Sequence, residues 1–357
     1  MVQRIKTAQM TKALTVLLLL MLGQNVNGQK IPLKSITEKL KKGQNITATD
    51  FGFKEYAIVQ KGDTTNFYTY QKLNAIPTSI FMYLPGSSAE DIYSYHKEND
   101  SSYWFNSLTT FDFSYLPENY LFVIVAKPGF GFIGNGDKKA IPQKYWEKTS
   151  LQDRVTRANT TLNYIQKKLL KKPEKTAVFG YSEGFYVGAK LATINRSVSH
   201  LGVGGGGGLS DFYDFIIANQ KDFHKGQATI DTTIQYNQDL ITSLSEIMTE
   251  ETSSKIVMGY SKKRWASFSE PAIQNLVRLK IPIYQVHGSD DESTAIESAY
   301  IVPVEFARLK KTNLTFRVYP NCNHSLTEKS IDGKEINHWD EMMRDFFKWI
   351  ENHKKYR

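Results

Sequence analysis

A serine flanked by glycines is the strongest chemical signal in the chain. Gly180-Tyr181-Ser182-Glu183-Gly184 follows a short apolar run, TAVF, and opens a helical pattern, FYVGAKLA. A serine on such a sharp strand-to-helix turn stands clear of the sheet, and close backbone packing on either side of it requires glycine. The helix start also supplies amide donors where a negative oxygen would develop. The pattern predicts that Ser182 is a nucleophile, and an exposed serine in an ordinary βα turn is the alternative.

An acid and a histidine follow two later apolar runs. Residues 281–287 (IPIYQVH) lead into Gly288-Ser289-Asp290-Asp291, and residues 314–319 (LTFRVY) lead to His324. Active-site groups of a parallel sheet collect beyond the carboxyl ends of its strands. The order serine, acid, histidine therefore predicts three side chains that meet at one sheet edge. With them, the serine could lose its proton to the imidazole as it attacks a carbonyl carbon.

The sequence contains no motif that indicates a metal or cofactor site. The chain has no H-E-x-x-H pattern, one cysteine, Cys322, and no histidines at ligand spacing. His324 alone follows a strand near the C-terminus, whereas His287 at a strand end is expected to be a hydrogen-bonded core residue. We therefore expect no metal and no cofactor.

The elements around these residues predict an α/β fold with a mainly parallel central sheet and helices on both faces. A hairpin is predicted over residues 53–72, and helices over 150–170, 185–194, 294–309 and 335–353, with Ser150 as an N-cap. Further strands are predicted over 78–84, 120–126, 176–179, 198–203, 281–287 and 314–319. Strands that alternate with helices are typical of a parallel sheet.

Residues 209–270 interrupt this alternation. They contain no convincing core strand and look helical and amphipathic, which predicts a helical cap inserted between two core strands. The cap aromatics Phe212, Tyr213, Phe215, Phe223, Tyr236, Tyr260 and Trp265 are candidate pocket walls or the core of the cap itself. The glycine run 204–208 before it lacks the Lys-Ser/Thr of a phosphate loop. It indicates a crowded strand end, or a backbone that substrate can approach closely.

Over residues 50–355 the sequence resembles the α/β-hydrolase superfamily, in particular its esterase, thioesterase and dipeptidyl-peptidase-like catalytic domains. The resemblance implies that Asp291, three residues after Gly288, is the triad acid, with Asp290 and then Glu292 as alternatives. It also implies an oxyanion hole made by the Glu183 N–H and a second amide, from Ser87 or Ser88. Family members commonly carry His-Gly in that loop, where this chain has Pro85-Gly86.

The function that this implies is hydrolysis of carboxylic esters through an acyl-enzyme on Ser182, acting on a small ester or acyl substrate. A serine peptidase with the same triad is the alternative, although too few residues precede the hairpin for the β-propeller of dipeptidyl peptidases. A non-catalytic binding protein of the same fold is a further alternative.

Three charged features have both a structural and a functional interpretation. The Glu183 carboxylate is expected to form a salt bridge in the core, or else to meet a substrate ammonium. Lys262-Lys263-Arg264 is expected to be a solvated basic face, or else to attract an anion. Residues 127–131 (KPGFG) are expected to line the cleft without a chemical role.

The N-terminus and the composition predict an exported protein. Residues 1–12 are basic, residues 13–23 are an apolar core too short to span a membrane, and cleavage is expected after Gly28. We therefore expect a signal peptide over 1–28, with an uncleaved anchor as the alternative. One hydrolase domain is expected over 29–357, with no stable membrane insertion after cleavage. A single cysteine and Asn-x-Ser/Thr triplets that we interpret as incidental favour a bacterial secreted or periplasmic protein. The +9 charge is dispersed, which argues against nucleic-acid binding.

Overall fold

The computed structural model of the protein describes residues 33–60, 62–99, 102–137, 140–330 and 332–353. The predicted signal peptide, residues 1–28, lies outside these residues. Among the helices of the described ranges, none has the length and apolar character needed to cross a lipid bilayer.

In the described ranges, eight strands form one central sheet and seven other strands form three small sheets. In chain order the described strands are β1 (Lys54–Gln60), β2 (Asp63–Tyr70), β3 (Ser79–Leu84), β4 (Tyr93–Lys97), β5 (Tyr103–Ser107), β6 (Tyr120–Val125), β7 (Ile133–Asn135), β8 (Thr176–Tyr181), β9 (His200–Gly204), β10 (Ile256–Val257), β11 (Tyr260–Ser261), β12 (Ile283–Gly288), β13 (Leu314–Tyr319), β14 (Thr327–Lys329) and β15 (Glu335–Asn337). The order across the central sheet is β1-β2-β6-β3-β8-β9-β12-β13. β2 runs antiparallel to both of its neighbours, and the six strands from β6 to β13 in that order are parallel.

Helices cover both faces of this sheet. The described α-helices are α1 (Leu33–Lys41), α2 (Gln143–Glu147), α3 (Leu151–Lys168), α4 (Glu183–Ile194), α5 (Asp211–His224), α6 (Ile230–Thr249), α7 (Lys262–Phe268), α8 (Ala272–Leu276), α9 (Ile296–Arg308) and α10 (Trp339–Asn352). One apolar cluster joins the sheet to α1 and α10, and a second joins its other face to α3, α4, α8 and α9.

The apolar composition of the strands follows from this burial. All six residues of β3 are buried, and its side chains alternate between the two clusters: Phe81 and Tyr83 face one, and Ile80, Met82 and Leu84 face the other. A strand that is covered on both faces reads as a continuous apolar run rather than as an alternation of apolar and polar residues. The parallel central strands were predictable for that reason.

The predicted elements agree with the structure except at the start of the last helix. The predicted hairpin, parallel strands and first three helices are all present, with ends that differ by a few residues. The predicted last helix was wrong at its start, because residues 335–337 form strand β15 and α10 begins at Trp339. The sheet of β5, β4 and β7 was not predicted, since its short strands carry polar residues among the apolar ones.

Residues 211–268 form a layer of three helices with an apolar cluster of its own. Helices α5, α6 and α7 contribute Phe212, Leu240, Ile247 and Trp265 to that cluster, which is separate from the two clusters of the sheet. The segment leaves the sheet after β9 and returns before β12.

Replacing Ser150 by alanine should destabilise the protein through α3. The Ser150 hydroxyl accepts a hydrogen bond of 3.1 Å from the Asp153 amide, and the Asp153 carboxylate bonds back to the Ser150 amide. Without this cap, the free energy of unfolding should fall by about 1 kcal/mol, measured by denaturant unfolding. Ser245→Ala, at an exposed site within α6, should change it much less. Equal losses in the two variants would contradict the capping role.

Candidate active site

Four loops at one edge of the central sheet carry the predicted site residues. β3 leads into residues 85–88, β8 into Ser182, β12 into Asp291 and β13 into His324. Because these strands are parallel, their carboxyl ends lie at the same edge. Ser182 and His324 line one cavity of about 160 Å³ there, together with residues 85–88.

Ser182 stands on a strained turn between β8 and α4. Its φ of 55° and ψ of −124° place it outside the conformations that side-chain-bearing residues ordinarily adopt. The turn is tight, because a Cβ on Gly180 would collide with the Gly184 carbonyl and a Cβ on Gly184 would collide with the Leu84 carbonyl oxygen. The glycine spacing in the sequence therefore reflects backbone contacts that leave no room for a side chain.

His324 and Asp291 form a hydrogen-bonded pair. Nδ1 of His324 lies 2.8 Å from Oδ2 of Asp291, whose side chain is fully buried. The other carboxylate oxygen, Oδ1, accepts the backbone N–H groups of Ser293 and Thr294 at 2.9 and 2.8 Å. Burial raises the pKa of Asp291, but the His324 charge and hydrogen bonds outweigh it and hold that pKa below its ordinary value. Burial lowers the pKa of His324, and the Asp291 charge outweighs this and raises it.

The two other acids of this loop do not contact His324. Asp290 is exposed, and its carboxylate accepts a hydrogen bond of 2.9 Å from the Ser289 hydroxyl. Glu292 is exposed as well. Of the three candidate acids, Asp291 alone is hydrogen bonded to the histidine.

His287 also lies close to the Asp291 carboxylate. Its Nε2 lies 2.8 Å from the Thr294 carbonyl oxygen, to which it donates, and 3.4 Å from Oδ2 of Asp291. Burial lowers the pKa of His287 below its ordinary value. It is the hydrogen-bonded core histidine that the sequence predicted, although its contact with Asp291 was not foreseen. The i, i+4 spacing of the two residues was the available signal.

Ser182 and His324 share the cavity without a direct hydrogen bond. Within the described residues, no hydrogen bond joins Oγ of Ser182 to the imidazole. Contacts between catalytic groups are often long in the absence of substrate and shorten when it binds.

The loop over residues 85–88 is held by its carbonyl groups. Arg154 donates to the carbonyls of Pro85 at 2.7 Å and Gly86 at 3.4 Å. The Ser87 carbonyl accepts from the Tyr145 hydroxyl at 2.6 Å, and the Ser88 carbonyl accepts from the Lys127 ammonium. In a trans peptide the N–H points away from the preceding C=O. The loop amides are therefore directed away from these anchoring side chains. A Cβ on Gly86 would lie 3.1 Å from Cβ of Ser182, so the loop passes directly beside the serine.

The Glu183 carboxylate is buried between two guanidinium groups. Arg154 forms an ion pair with its Oε1, and Arg264 donates to its Oε2 through Nε at 3.0 Å and Nη2 at 2.7 Å. Burial would raise the pKa of Glu183, but the charges of Arg154 and Arg264 outweigh it and lower that pKa to about 2. The expected core salt bridge is thus present, and both carboxylate oxygens are engaged by the protein itself.

The basic triplet is not a solvated face. Lys262 and Arg264 are buried, and Lys262 pairs with Glu250 at 3.0 Å. Lys263 pairs with Asp153 at 2.8 Å. The Arg264 guanidinium lies 4.1 Å from the ring centroid of Tyr260 and also reaches Asp211 at 3.4 Å. The expectation of a solvated face was wrong, because these side chains fasten α7 to the sheet domain and to its neighbouring elements.

Three of the predicted aromatic wall residues line the cavity, namely Phe215, Tyr260 and Trp265. The glycine run 204–208 does not line it. A Cβ on Gly205 or Gly206 would collide with the ring of Tyr181 or Phe185, which favours the interpretation of a crowded strand end. The expectation that residues 127–131 line the cleft was wrong as well. None of them is among the residues that line the cavity, and Lys127 instead donates a hydrogen bond to the Ser88 carbonyl.

Arg154 and Tyr145 are the site residues that sequence reasoning missed. Arg154 occupies a position on the apolar stripe of α3, between the buried Leu151 and Val155. A charged residue on a buried helix face was the available signal, because it requires a buried partner. Tyr145 had no such signal, since a buried tyrosine in a short helix is ordinary.

Replacing Glu183 by glutamine should strongly destabilise the protein, because two buried guanidinium groups would lose their counter-charge. The free energy of unfolding should fall by about 3–5 kcal/mol at neutral pH. The lowered pKa means that the contribution of the carboxylate is present above pH 4.5 and is lost as the pH falls toward about 2. The difference between wild type and variant should therefore narrow over that range in denaturant unfolding.

Glu270→Gln is the matched control. The Glu270 carboxylate pairs with Lys190, which lies on the same helix as Glu183, but the Glu270 side chain is 29% exposed. Its loss should cost about 1 kcal/mol or less. An effect of Glu183→Gln as small as that of the control would contradict the proposed role of the buried charge cluster.

No protein-family model matches the sequence, and no curated protein matches it. Solved structures do match. The acylaminoacyl peptidase of Pyrococcus horikoshii aligns with a TM-score of 0.51 at 13% identity, over 85% of this chain and 42% of that one. A Bacteroides ovatus protein provisionally titled dipeptidyl aminopeptidase IV aligns with a TM-score of 0.53 at 10% identity, over 85% and 36%.

A cold-adapted esterase from an Arctic intertidal metagenomic library aligns over 83% of this chain and 93% of that one, at 11% identity and a TM-score of 0.44. The chain spans less than half the length of the Pyrococcus horikoshii and Bacteroides ovatus proteins. At these identities the likeness concerns the fold alone. With its eight-stranded, mostly parallel sheet covered by helices on both faces, the chain has the α/β-hydrolase fold.

Proposed function

We propose that this protein is a serine hydrolase that cleaves carboxylic esters through an acyl-enzyme on Ser182. The observation that carries the proposal is the 2.8 Å hydrogen bond between His324 and the buried Asp291, at a cavity that Ser182 also lines. A free hydroxyl is a weak nucleophile near neutral pH and needs an adjacent base. His324 is that base, and Asp291 fixes its tautomer and stabilises the imidazolium that forms.

The reaction runs in two steps that use the same three side chains. Oγ of Ser182 attacks the ester carbonyl carbon as its proton passes to Nε2 of His324, and the imidazolium returns that proton to the departing alcohol. Water then gives its proton to His324 and attacks the acyl-enzyme, which releases the acid and restores the serine. The negative oxygen of each tetrahedral intermediate needs hydrogen-bond donors that are already in place.

We assign those donors to the amides of Glu183 and Ser87. Glu183 is the first residue of α4, so its N–H has no partner within the helix. Ser87 follows Gly86, which lies against Ser182, and its N–H points away from the Arg154 that holds the Gly86 carbonyl. Ser88 is the alternative that the sequence also allowed. It is one residue farther from the contact with Ser182.

The dimensions of the cavity favour a small acyl or aryl group. A volume of about 160 Å³ is close to that of engineered apolar cavities that bind a benzene-sized ligand. Its walls combine the rings of Phe215, Tyr260 and Trp265 with the polar side chains of Glu90 and Asn106. The Glu183 carboxylate is held by two arginines, which argues against its use to bind a substrate ammonium. We therefore favour ester hydrolysis over aminopeptidase activity.

Export and domain organisation remain proposals that rest on the sequence. We infer a signal peptide over 1–28 that directs a bacterial protein to the periplasm or the medium, followed by a single hydrolase domain. Within that domain, residues 209–270 would act as a cap. Its contribution of Phe215, Tyr260 and Trp265 to the cavity supports this role.

Ser182→Ala should abolish hydrolysis, with a loss on the order of 10⁶-fold in kcat. The measurement is cleavage of a short-chain nitrophenyl ester beside an aminoacyl nitroanilide, together with labelling by a fluorophosphonate probe. Wild type and the exposed-site control Ser245→Ala should be labelled and cleave the ester faster than the anilide. Faster cleavage of the anilide would indicate the peptidase alternative. Absence of labelling in wild type would favour a non-catalytic binding protein.

The pH profile should report His324. Because its pKa is raised by Asp291, kcat/KM should be lost as the pH falls through a value above about 6.5. In Asp291→Asn the carboxylate no longer opposes the effect of burial, so that midpoint should move to lower pH while kcat falls on the order of 10⁴-fold. Profiles from about pH 5 to 9 test this. An unchanged midpoint in Asp291→Asn would show that Asp291 does not govern the ionisation that limits the rate.

A further inference from the structure

Three potential metal ligands meet behind the loop that carries His324. The thiol of Cys322, a carboxylate oxygen of Glu328 and an imidazole nitrogen of His338 all lie within 4.8 Å of one another. They come from the loop after β13, from β14 and from the residue that precedes α10. These residues are separate from the proposed catalytic residues, and the mechanism above does not use them.

His338 is oriented as a ligand would be. Its Nδ1 lies 2.8 Å from the carboxylate of Glu341, and its Nε2 lies 3.6 Å from Oε1 of Glu328. The Nε2 atom is buried and has no hydrogen-bond partner in the described chain. A carboxylate that accepts the Nδ1 proton leaves the Nε2 lone pair free, which is the usual outer-shell arrangement of metal-binding histidines.

The spacing of the three atoms suits a small tetrahedral ion. With metal–ligand distances of about 2.0–2.3 Å, neighbouring ligand atoms in such a site lie about 3.3–3.6 Å apart. The distance between His338 and Glu328 is already 3.6 Å, and the widest separation of the set is at most 4.8 Å, about 1 Å more than a tetrahedral site needs. Partial exposure of Glu328 and His338, 27% and 21%, provides an entry path.

The local charge also favours a cation. Cys322 is buried, and the carboxylates of Glu328, Asp290 and Glu341 are near enough to act on its thiol electrostatically. The same negative charges that oppose a bare thiolate attract a divalent ion. Binding would transfer the thiol proton to solvent and leave thiolate, imidazole and carboxylate around the metal.

We propose that Cys322, Glu328 and His338 bind one zinc-class divalent ion, with Glu341 orienting the histidine and one position left for water. A thiolate, an imidazole and a carboxylate form a ligand set that zinc accepts and that magnesium and calcium do not prefer. The ion would join the two ends of the segment over residues 322–338, which contains His324. Its role is to brace that segment, and it takes no part in the ester chemistry.

Sequence spacing could not reveal this site. The ligands are separated by 6 and 10 residues in the chain, which matches no common metal motif. The β14–β15 hairpin brings Glu328 opposite Ile336, two residues before His338. The return of the chain to the start of α10 thus creates the cluster.

Cobalt(II), as a spectroscopic substitute for zinc, tests the site in untagged, metal-free protein. Cys322 is the only cysteine, so a thiolate-to-cobalt charge-transfer band in the near ultraviolet can arise only from this residue. Wild type should develop the band with a 1:1 stoichiometry, and zinc should displace it. Zinc should also raise the Tm of wild type.

Variants separate the proposed ligands from incidental binding. Cys322→Ser should abolish the band, and His338→Gln and Glu328→Gln should weaken cobalt binding at least tenfold. Glu341→Gln should weaken it about 10–100-fold, as expected for an outer-shell partner. Glu335→Gln, an exposed carboxylate on the neighbouring strand, should leave it unchanged. Circular dichroism of each metal-free variant shows whether the fold is retained.

Two results would overturn the proposal: no charge-transfer band in folded wild type, or a band with the same midpoint in folded His338→Gln and Glu328→Gln. Neither depends on esterase activity, so this inference and the proposed function can fail independently.

Discussion

A buried carboxylate beside the candidate nucleophile imposes the main constraint on this structure. Glu183 lies one residue after Ser182, where an unpaired charge would cost several kcal/mol. Two arginines meet this requirement, Arg154 from α3 and Arg264 from α7. Because Arg154 also binds the carbonyls of residues 85 and 86, one charge cluster joins the serine turn, the neighbouring loop, a core helix and the helical segment over 211–268.

The same constraint shapes the proposed oxyanion hole. The carbonyls of residues 85–88 are all held by side chains, which come from Arg154, Tyr145 and Lys127. Donors that are fixed before substrate arrives need no reorganisation when charge develops, and most of their value in catalysis comes from that. A loop with Pro-Gly in place of His-Gly can therefore keep its backbone donors in position, because the anchoring groups act on the carbonyls and not on the missing histidine.

The loop of the proposed base is anchored to neighbouring elements. The carbonyl of His324 accepts a hydrogen bond of 2.8 Å from the Tyr181 hydroxyl, and the Cys322 carbonyl accepts one of 2.9 Å from the Asp290 amide. The Leu326 carbonyl accepts from the His338 amide at 2.9 Å. The first two contacts tie the loop to the serine strand and to the acid loop. The loops that carry the candidate serine, acid and histidine, although far apart in sequence, are thus joined by hydrogen bonds to the backbone carbonyls of the His324 loop.

The sequence alone determined the parallel sheet and predicted which loops carry the candidate serine, acid and histidine. Those features depend on local patterns, namely apolar runs, glycine spacing around Ser182, and polar residues just after strand ends. Asp291 could be preferred over Asp290 only by resemblance. That Asp291 is buried and hydrogen bonded to His324 is visible only in the tertiary structure, because the two residues belong to different segments. Only the tertiary structure shows that Arg154 and Arg264 both pair with Glu183. It alone also shows that Cys322 lies close to His338. The sequence gives the type of each side chain directly. The partner of that side chain depends on how elements that are remote in the chain pack together.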